Sequence, residues 1–408
     1  MPSPIPILRI VTRFNIGGPA IHASLLSTRL DASRFHTCLV IGKPDATEGD
    51  LTNLVRGSAA RVVVLNSLCR PIRPWHDLVT LLSLVRVAWT HRPRIIHTHM
   101  AKAGTLGRLA GLLYNRLGPG RHASRRAILI HTFHGHVLEG YFSPRVSRFF
   151  LSIERWLARR TDRLIAVSHT VRRELLSLGI GQPTQWQVIP VGLDLCALSQ
   201  LPLPNGAPTV RVGMVGRLVP IKNPSLFLGA FRRLAAEESQ RPVRAVIVGD
   251  GPLRGTLERE TKRLGLEGLV HFTGWRRDLT AVYGDLEVTC LTSWNEGTPV
   301  ALIEAMAAGR AVVAANAGGV QDLLGEEGQP ADEIPAGQYR ITDRGILVRP
   351  GDHDGLVKAL TLVTQDDELR RRLGRAARHY VVQRYAHERL VRDITALYER
   401  ALDTEAVA

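Results

Sequence analysis

Short apolar runs alternate with amphipathic stretches along almost the whole chain, and that alternation sets the expected fold. In the first half, Ile5 to Thr12, Thr37 to Ile41, Arg61 to Leu65, Ile95 to Thr98, Ile128 to Thr132, Leu164 to Val167 and Val188 to Pro190 read as strands. Between them, His22 to Leu30, Trp75 to His91, Gly104 to Asn115 and Pro144 to Arg160 carry helical spacing, and Ser168 is placed to cap a further helix. Leu198 to Pro208 holds three prolines and a glycine and reads as a linker. The strand pattern restarts at Val210 to Val215, Arg244 to Val248, Val270 to Phe272, Val288 to Leu291, Ala311 to Ala314 and Ile346 to Val348. Helices over Ser225 to Gln240, Leu253 to Leu264, Leu279 to Tyr283 and Pro299 to Ala308 separate them, and from Asp352 the chain reads as helical, with breaks near Asp366 and Tyr385. Strands alternating with helices predict the α/β class: two doubly wound parallel sheets, each covered on both faces. Ligands of such sheets bind beyond the carboxyl ends of the strands.

Composition narrows the setting. At 408 residues the chain is long enough for two cores. No apolar run is long enough to span a bilayer, and the richest, Leu78 to Trp89, carries Arg86. Met1 to Ile10 goes straight into a strand pattern, without the marks of a signal peptide. The cysteines Cys38, Cys69, Cys196 and Cys290 are far apart, which fits a reducing cytoplasm. The net charge of +16 lies entirely in residues 1–200, which hold 26 Lys+Arg against 10 Asp+Glu; the remainder holds 27 of each. That asymmetry predicts a polyanionic partner: nucleic acid, an acidic membrane face or a phosphorylated substrate. The plainer explanation is that arginine is the chain's preferred solvated residue. Pro144 to Arg160 interleaves aromatics with arginines, as a helix lying on an acidic membrane would, although a core-packed helix has the same pattern.

The densest chemistry runs from Ser293 to Gly309. Thr298 is a good N-cap, Pro299 suits the first helical position, and Gly309 reads as the stop. Glu296 then lies in the loop before the helix and Glu304 inside it, roughly 8 Å along the axis from Pro299 at about 1.5 Å per residue. The helix start, with Gly297 beside it, favours an anion such as a phosphate, and a carboxylate at either end could grip hydroxyls. Upstream, Gly216-Arg217-Leu218-Val219-Pro220-Ile221-Lys222-Asn223 follows a strand, so Arg217 and Lys222 can converge on one anion. Glycine turns at Gly17-Gly18 and at Gly249 permit close backbone approach to a ligand. Histidines gather at His97, His99, His131, His134 and His136; the His-x-His spacing could bind metal, but no carboxylate or thiolate accompanies it. Asp352-His353-Asp354 starts a helix and reads as a cap.

Glu296 and Glu304, eight positions apart and followed by Ala-Met-Ala-x-Gly, with Gly216-Arg217 and Lys222-Asn223 upstream and Gly318-Gly319 downstream, resemble the retaining glycosyltransferases of family 4. The resemblance implies the GT-B architecture, two Rossmann-like domains facing a cleft: an acceptor-side domain over 1–198, a linker over 199–209, a nucleotide-sugar domain over 210–384, and a last helix over 385–408 packing back on the first. It implies sugar transfer from a nucleotide sugar, a UDP-sugar ahead of GDP-mannose, to a lipid-linked or saccharide acceptor of cell-envelope polysaccharide or glycolipid synthesis. Neither a cofactor nor a metal is expected. The resemblance assigns Gly17, Gly18, Gly216, Arg217, Lys222, Gly249, Glu296, Gly297, Thr298, Pro299 and Glu304 to the donor. It assigns catalysis to Glu296, His134, Arg217 and Lys222, and the acceptor side to His99 and Lys102. With this reading, the basic N-terminal half and the lack of a membrane-spanning run predict a cytoplasmic enzyme, peripheral on the inner membrane face through an acidic membrane surface as partner, with no nucleic acid expected. Leu324 to Thr342 departs from the family by its length and reads as an exposed loop. A sugar-nucleotide 2-epimerase of the same fold and a basic nucleic-acid-binding protein are the competing readings.

Overall fold

The computed structural model describes residues 3–15, 17–43, 51–69, 71–135, 144–204, 206, 208–237, 241–325 and 333–407. The chain forms two compact units, Met1–Leu193 with His387–Ala408, and Asp194–Ala386.

The first unit contains β1 (Ile5–Val11), α1 (Gly18–Thr28), β2 (Phe35–Ile41), β3 (Arg61–Val64), α2 (Pro74–His91), β4 (Ile95–His99) and α3 (Ala101–Leu117). It continues through β5 (Ile128–Phe133), α4 (Pro144–Ala158), β6 (Arg163–Ala166), α5 (His169–Ser177) and β7 (Trp186–Val188). The sheet is parallel, in the order β3-β2-β1-β4-β5-β6-β7. Because strand residues alternate between faces, each strand feeds two cores. Ile7, Ile95, Ile128 and Ile130 pack on one face; Leu8, Ile10, Ile96 and Leu129 pack on the other beneath Leu84 of α2 and Tyr114 of α3.

The second unit contains α6 (Cys196–Ser199), β8 (Val210–Val215), α7 (Pro224–Ala236), β9 (Val243–Val248), α8 (Arg254–Arg263), β10 (Val270–Gly274) and α9 (Leu279–Gly284). It continues through β11 (Val288–Leu291), α10 (Val300–Ala307), β12 (Ala311–Ala315), α11 (Val320–Leu324), β13 (Tyr339–Ile341), β14 (Ile346–Val348), α12 (His353–Gln365) and α13 (Asp367–Tyr385). Its order is β10-β9-β8-β11-β12-β14-β13, parallel except for β13. The expected α/β fold of two doubly wound sheets is therefore the observed one. Asp352 caps α12 as expected, its Oδ1 accepting from the Gly355 N–H at 3.0 Å.

Several expectations shift. Residues 199–209, expected as a linker, belong to the second unit, where the Leu201 and Pro202 carbonyls each accept from arginine, Arg378 and Arg310, at 2.6 Å. The strand expected at Val188 to Pro190 lies earlier, at Trp186–Val188, since Pro190 has no N–H to give a ladder and the Trp186 indole donates to the Ile180 carbonyl at 3.1 Å. The stretch from Leu324 to Thr342 is not a loop throughout. Leu324 ends α11 and is buried, and Tyr339–Ile341 pairs antiparallel with β14 at the sheet edge. Arg344 holds this return by donating to the Leu323 carbonyl at 3.0 Å.

The last helix, α14 (His387–Val407), belongs to the first unit. Its Leu390, Ile394, Leu397 and Tyr398 cover the face of β1, β4 and β5. Arg389 donates to the Pro190 and Val191 carbonyls at 2.7 and 2.8 Å, and Glu405 pairs with Arg94 and Arg126 at 3.1 and 3.0 Å. Tyr398 is fully buried, with its hydroxyl 2.6 Å from His97 Nδ1 and 3.3 Å from Arg9 Nη2. We expect Tyr398→Ala to cost about 3–5 kcal/mol in denaturant unfolding of this unit and Tyr398→Phe about 1–2 kcal/mol, because Phe keeps the packing and loses only the hydrogen bonds.

Candidate functional site

In the second unit the loops after β8, β9, β11 and β12, neighbours in the sheet, all leave from carboxyl ends on either side of the order reversal between β8 and β11. The loop after β8 brings Gly216, Arg217 and a short 3-10 turn, Pro220–Lys222. The loop after β11 brings Thr292 to Pro299. Main-chain and side-chain bonds pin the two together: the Trp294 N–H donates to the Ile221 carbonyl at 2.9 Å, and Thr292 Oγ1 lies 2.9 Å from the carbonyls of Lys222 and Asn223. At their meeting point Lys222 Nζ forms an ion pair with Glu296 Oε1, and Ser293 Oγ donates to the same oxygen at 2.6 Å. The pair is largely enclosed: 9% of the Glu296 side chain and 20% of Lys222 is exposed. Both partners use Oε1, which leaves Oε2 for a ligand.

Glycines let the backbones approach. Gly249 (φ 129°) abuts the loop after β8: a Cβ there would lie 1.9 Å from the Gly216 carbonyl oxygen. Gly318 (φ 54°) does the same for the loop after β12, where a Cβ would lie 2.1 Å from the Glu296 carbonyl oxygen. The neighbouring Gly319 N–H donates to that carbonyl at 2.9 Å.

The helix start differs from the expectation. Pro299, not Thr298, is the N-cap, and α10 begins at Val300. Thr298 Oγ1 makes no cap and is buried without a partner. The bonds that hold residues 292–296 to the two neighbouring loops fix this segment before the helix begins, so the helix starts one residue later than a Thr298 cap would place it. Gly309 stops the helix as expected: its N–H donates to the Met306 carbonyl and that of Arg310 to the Ala305 carbonyl, both at 2.9 Å. Glu304 has a partner that sequence reasoning missed. Its Oε2 lies 2.8 Å from the Tyr283 hydroxyl, itself 3.0 Å from the Ala301 carbonyl. Burial pushes the Glu304 carboxyl up to about 7, and the Tyr283 hydrogen bond opposes this only in part. A protonated Glu304 can donate to Tyr283 while Tyr283 donates to Ala301, so the neutral acid keeps both bonds.

In the first unit the loops after β1, β4 and β5 emerge side by side, since Val11 pairs with His99 and His99 with Thr132. Gly17 precedes α1 and Gly18 opens it. His99 Nδ1 lies 3.2 Å from His134 Nε2, and both rings stand edge-on to His22, centroids 5.5 and 5.0 Å away. Burial lowers the basicity of all three: His22 and His99 fall well below the usual histidine range and His134 to about 3. They are therefore neutral hydrogen-bonding groups at neutral pH. One ring nitrogen from each lies within 4.8 Å of the others, a spacing that a three-histidine metal site uses. Arg9 and Arg389 bear on His22, and among the described residues no carboxylate is bonded to any of the three rings, as ligating histidines usually require.

The expected five-histidine group does not form as one. His97 is a satisfied core residue, bonded to Tyr398 and, at 2.8 Å, to Thr132. His131 faces the other side of the sheet, 2.8 Å from Thr98 Oγ1 and beneath Gly104, because neighbouring strand residues alternate. His136 lies outside the described residues. His22 joins the group from α1, a position that no spacing in the sequence announces. Lys102 is not a free acceptor-side cation: its Nζ pairs with Asp77 Oδ1 at 2.6 Å and also donates to the Pro71 carbonyl.

Residues 17–192 match the glycosyl transferase 4-like domain and residues 205–380 the glycosyl transferases group 1. The chain is 27% identical over 368 residues, 86% of each chain, to the UDP-Gal:alpha-D-GlcNAc-diphosphoundecaprenol alpha-1,3-galactosyltransferase of Escherichia coli. It is 28% identical over 263 residues, 64% of this chain and 59% of the relative, to the MMP alpha-(1->4)-mannosyltransferase of Mycolicibacterium hassiacum. Among solved structures, Anabaena HepE in complex with UDP-glucose superposes with a TM-score of 0.74 at 21% identity, covering 97% of this chain and 100% of that one. That likeness establishes the fold.

The Glu304 environment generates a pH-dependent outcome. A carboxyl raised from 4.5 to about 7 on folding stabilises the fold while it stays protonated, and that contribution is lost as pH rises through about 7. Glu304→Gln keeps the acceptor for Tyr283 without ionising. Its unfolding free energy should match the parent's near pH 4.5 and exceed it by about 2–3 kcal/mol at pH 8. Parallel denaturant titrations at the two pH values read this directly.

Proposed function

Because this chain belongs to the glycosyl transferases group 1 family and is a hexosyl- or N-acetylhexosaminyltransferase, we propose that it moves a sugar, with retention, from a UDP-sugar to a lipid-linked or saccharide acceptor of cell-envelope synthesis. The observation that carries this reading is the Lys222–Glu296–Ser293 cluster at the sheet's order reversal. GDP-mannose is the second donor, given the mannosyltransferase relative. The Escherichia coli relative's UDP-Gal donor and diphosphoundecaprenol-bearing acceptor support the preferred donor and acceptor classes.

In this reading the donor diphosphate meets Arg217 and Lys222 beside the start of α10, where Pro299 is the N-cap, and Gly216, Gly249 and Gly297 present no side chain in its path. As the bond to the leaving phosphate breaks, negative charge grows on the diphosphate, and the two cations stabilise that charge more than they stabilise the ground state. These cations supply charge that a metal supplies elsewhere, so the reading requires no metal or cofactor. Lys222 exchanges part of its bond to Glu296 for phosphate, and Glu296 turns its spare oxygen to hydroxyls of the donor sugar. Glu304, positioned by the buried Tyr283, takes the ribose hydroxyls. In the first unit, Gly17 and Gly18 let backbone approach the ligand, and His134, held neutral, offers a hydrogen bond near the reacting carbon without a competing charge. His99 orients His134 from the acceptor side. No side chain is assigned as a covalent nucleophile.

The test is thermal stabilisation by a panel of UDP, GDP and their sugars without added metal. UDP at a hundred times its Kd should add about 2.7 kcal/mol of apparent stability. Glu296→Gln should retain that stabilisation and lose about a hundredfold or more in turnover, whereas Lys222→Ala should lose both. No shift with any nucleotide at millimolar concentration would overturn the reading.

A further inference from the structure

One surface of the first unit has no explanation in the sheet or in the donor chemistry. The side of α2 turned away from the core exposes Trp75 (73%), Leu82 (60%), Leu78 (44%), Trp89 (44%) and Val79 (39%). Their spacings of three, four and seven put them on one stripe of the helix. The opposite side of α2 is already filled by Leu84, Ala88 and the buried Thr80. The helix is thus apolar on both sides, while only one side is covered. The stripe continues onto α3: the Gly118 backbone lies so close to Trp89 that a Cβ would come 2.4 Å from its indole nitrogen, and the adjoining Leu117 is 69% exposed. A contiguous exposed apolar area of this kind marks an interaction site.

The charge around it identifies the partner. Residues 71–126 contain nine arginines and one lysine against a single acid, Asp77, which Lys102 already neutralises. Arg73, Arg86, Arg92, Arg116 and Arg121 are exposed. A second copy of the chain would set these arginines against each other, whereas an anionic surface complements them. Tryptophans stand near both ends of the stripe, the residue type that prefers the boundary between headgroups and acyl chains. Among the described residues no helix is long and apolar enough to cross a membrane, so the contact is one that lies on a bilayer rather than through it.

We propose that the outer face of α2, continued by Leu117, is a membrane-docking surface: the Trp75–Trp89 stripe enters the interface of a bilayer, and the arginines around it bind anionic lipid phosphates. The basic helix that the sequence singles out for this role, α4, exposes fewer large apolar side chains among the described residues, Val146, Phe149 and Trp156. It is fastened to α3 through Arg108 and Glu154 at 2.6 Å, and the Arg160 guanidinium covers the Trp156 ring at 4.1 Å. Docking through α2 is independent of the transfer chemistry and can hold or fail without it.

The experiment is sedimentation of the full chain with vesicles of phosphatidylcholine alone or mixed with phosphatidylglycerol. Binding should require phosphatidylglycerol and weaken with salt. The Leu78→Ser/Leu82→Ser double variant, whose changes lie on the exposed side, should bind about tenfold or more weakly with its melting temperature and UDP-induced shift unchanged. Equal vesicle binding by parent and variant would overturn the proposal, as would absence of binding by the parent. A parent dimer that the double variant converts to monomer would assign the stripe to a second copy and overturn it too. Loss of the UDP shift in the parent would instead sink the donor reading and leave the vesicle result standing.

Discussion

Lys222 and Glu296 lie 74 positions apart, and their ion pair joins the two loops on either side of the sheet's order reversal. A mostly enclosed pair of this kind adds little net stability, because the cost of removing two charges from water roughly offsets their attraction. Its value lies elsewhere. Each charge holds the other in place, and in the proposed reading Lys222 exchanges part of that bond for an anionic phosphate while Glu296 offers its second oxygen to sugar hydroxyls. The surrounding bonds from Ser293, Thr292, Trp294 and Gly319 keep the loops in the geometry that makes the exchange possible. The glycines at 249 and 318 are there because no side chain fits between backbones this close.

The first unit sorts its polar groups by depth. Under α1 and α14 the histidines are kept uncharged by burial, and Arg9 is fully buried beside Tyr398. On the opposite side, beyond α2 and α3, arginine is exposed and apolar side chains stand beside it.

Most of the fold was legible because strands and helices impose periods of two and 3.6 on apolar residues, and those periods are local. Asp352 and Gly309 were legible for the same reason: a cap is satisfied within a few residues. What was missed depends on distant partners. Thr298 has the composition of a cap, but bonds to other loops moved the helix start past it. His22 and Tyr283 occupy ordinary helical positions, and only tertiary packing brings them to His134 and Glu304. The edge strand Tyr339–Ile341 pairs with a neighbour a few residues away, yet the Glu-, Pro- and Gly-rich stretch before it masked the pattern. That Glu296 and Lys222 lie in loops that follow strands was legible, whereas their bond to each other was not.

The return of α14 to the first unit also orders events in time. A ribosome releases Asp194–Ala386 as one uninterrupted piece, which can close its own core as soon as it emerges. The first unit cannot. Tyr398 must reach His97 across 301 positions and Arg9 across 389, so until the last helix is made the isoleucine face of β1, β4 and β5 has only Leu26 and Leu30 beside α1 over part of it. During synthesis the earlier-made unit is the last to be finished, and for that interval its partly bare face is open to chaperones or to aggregation.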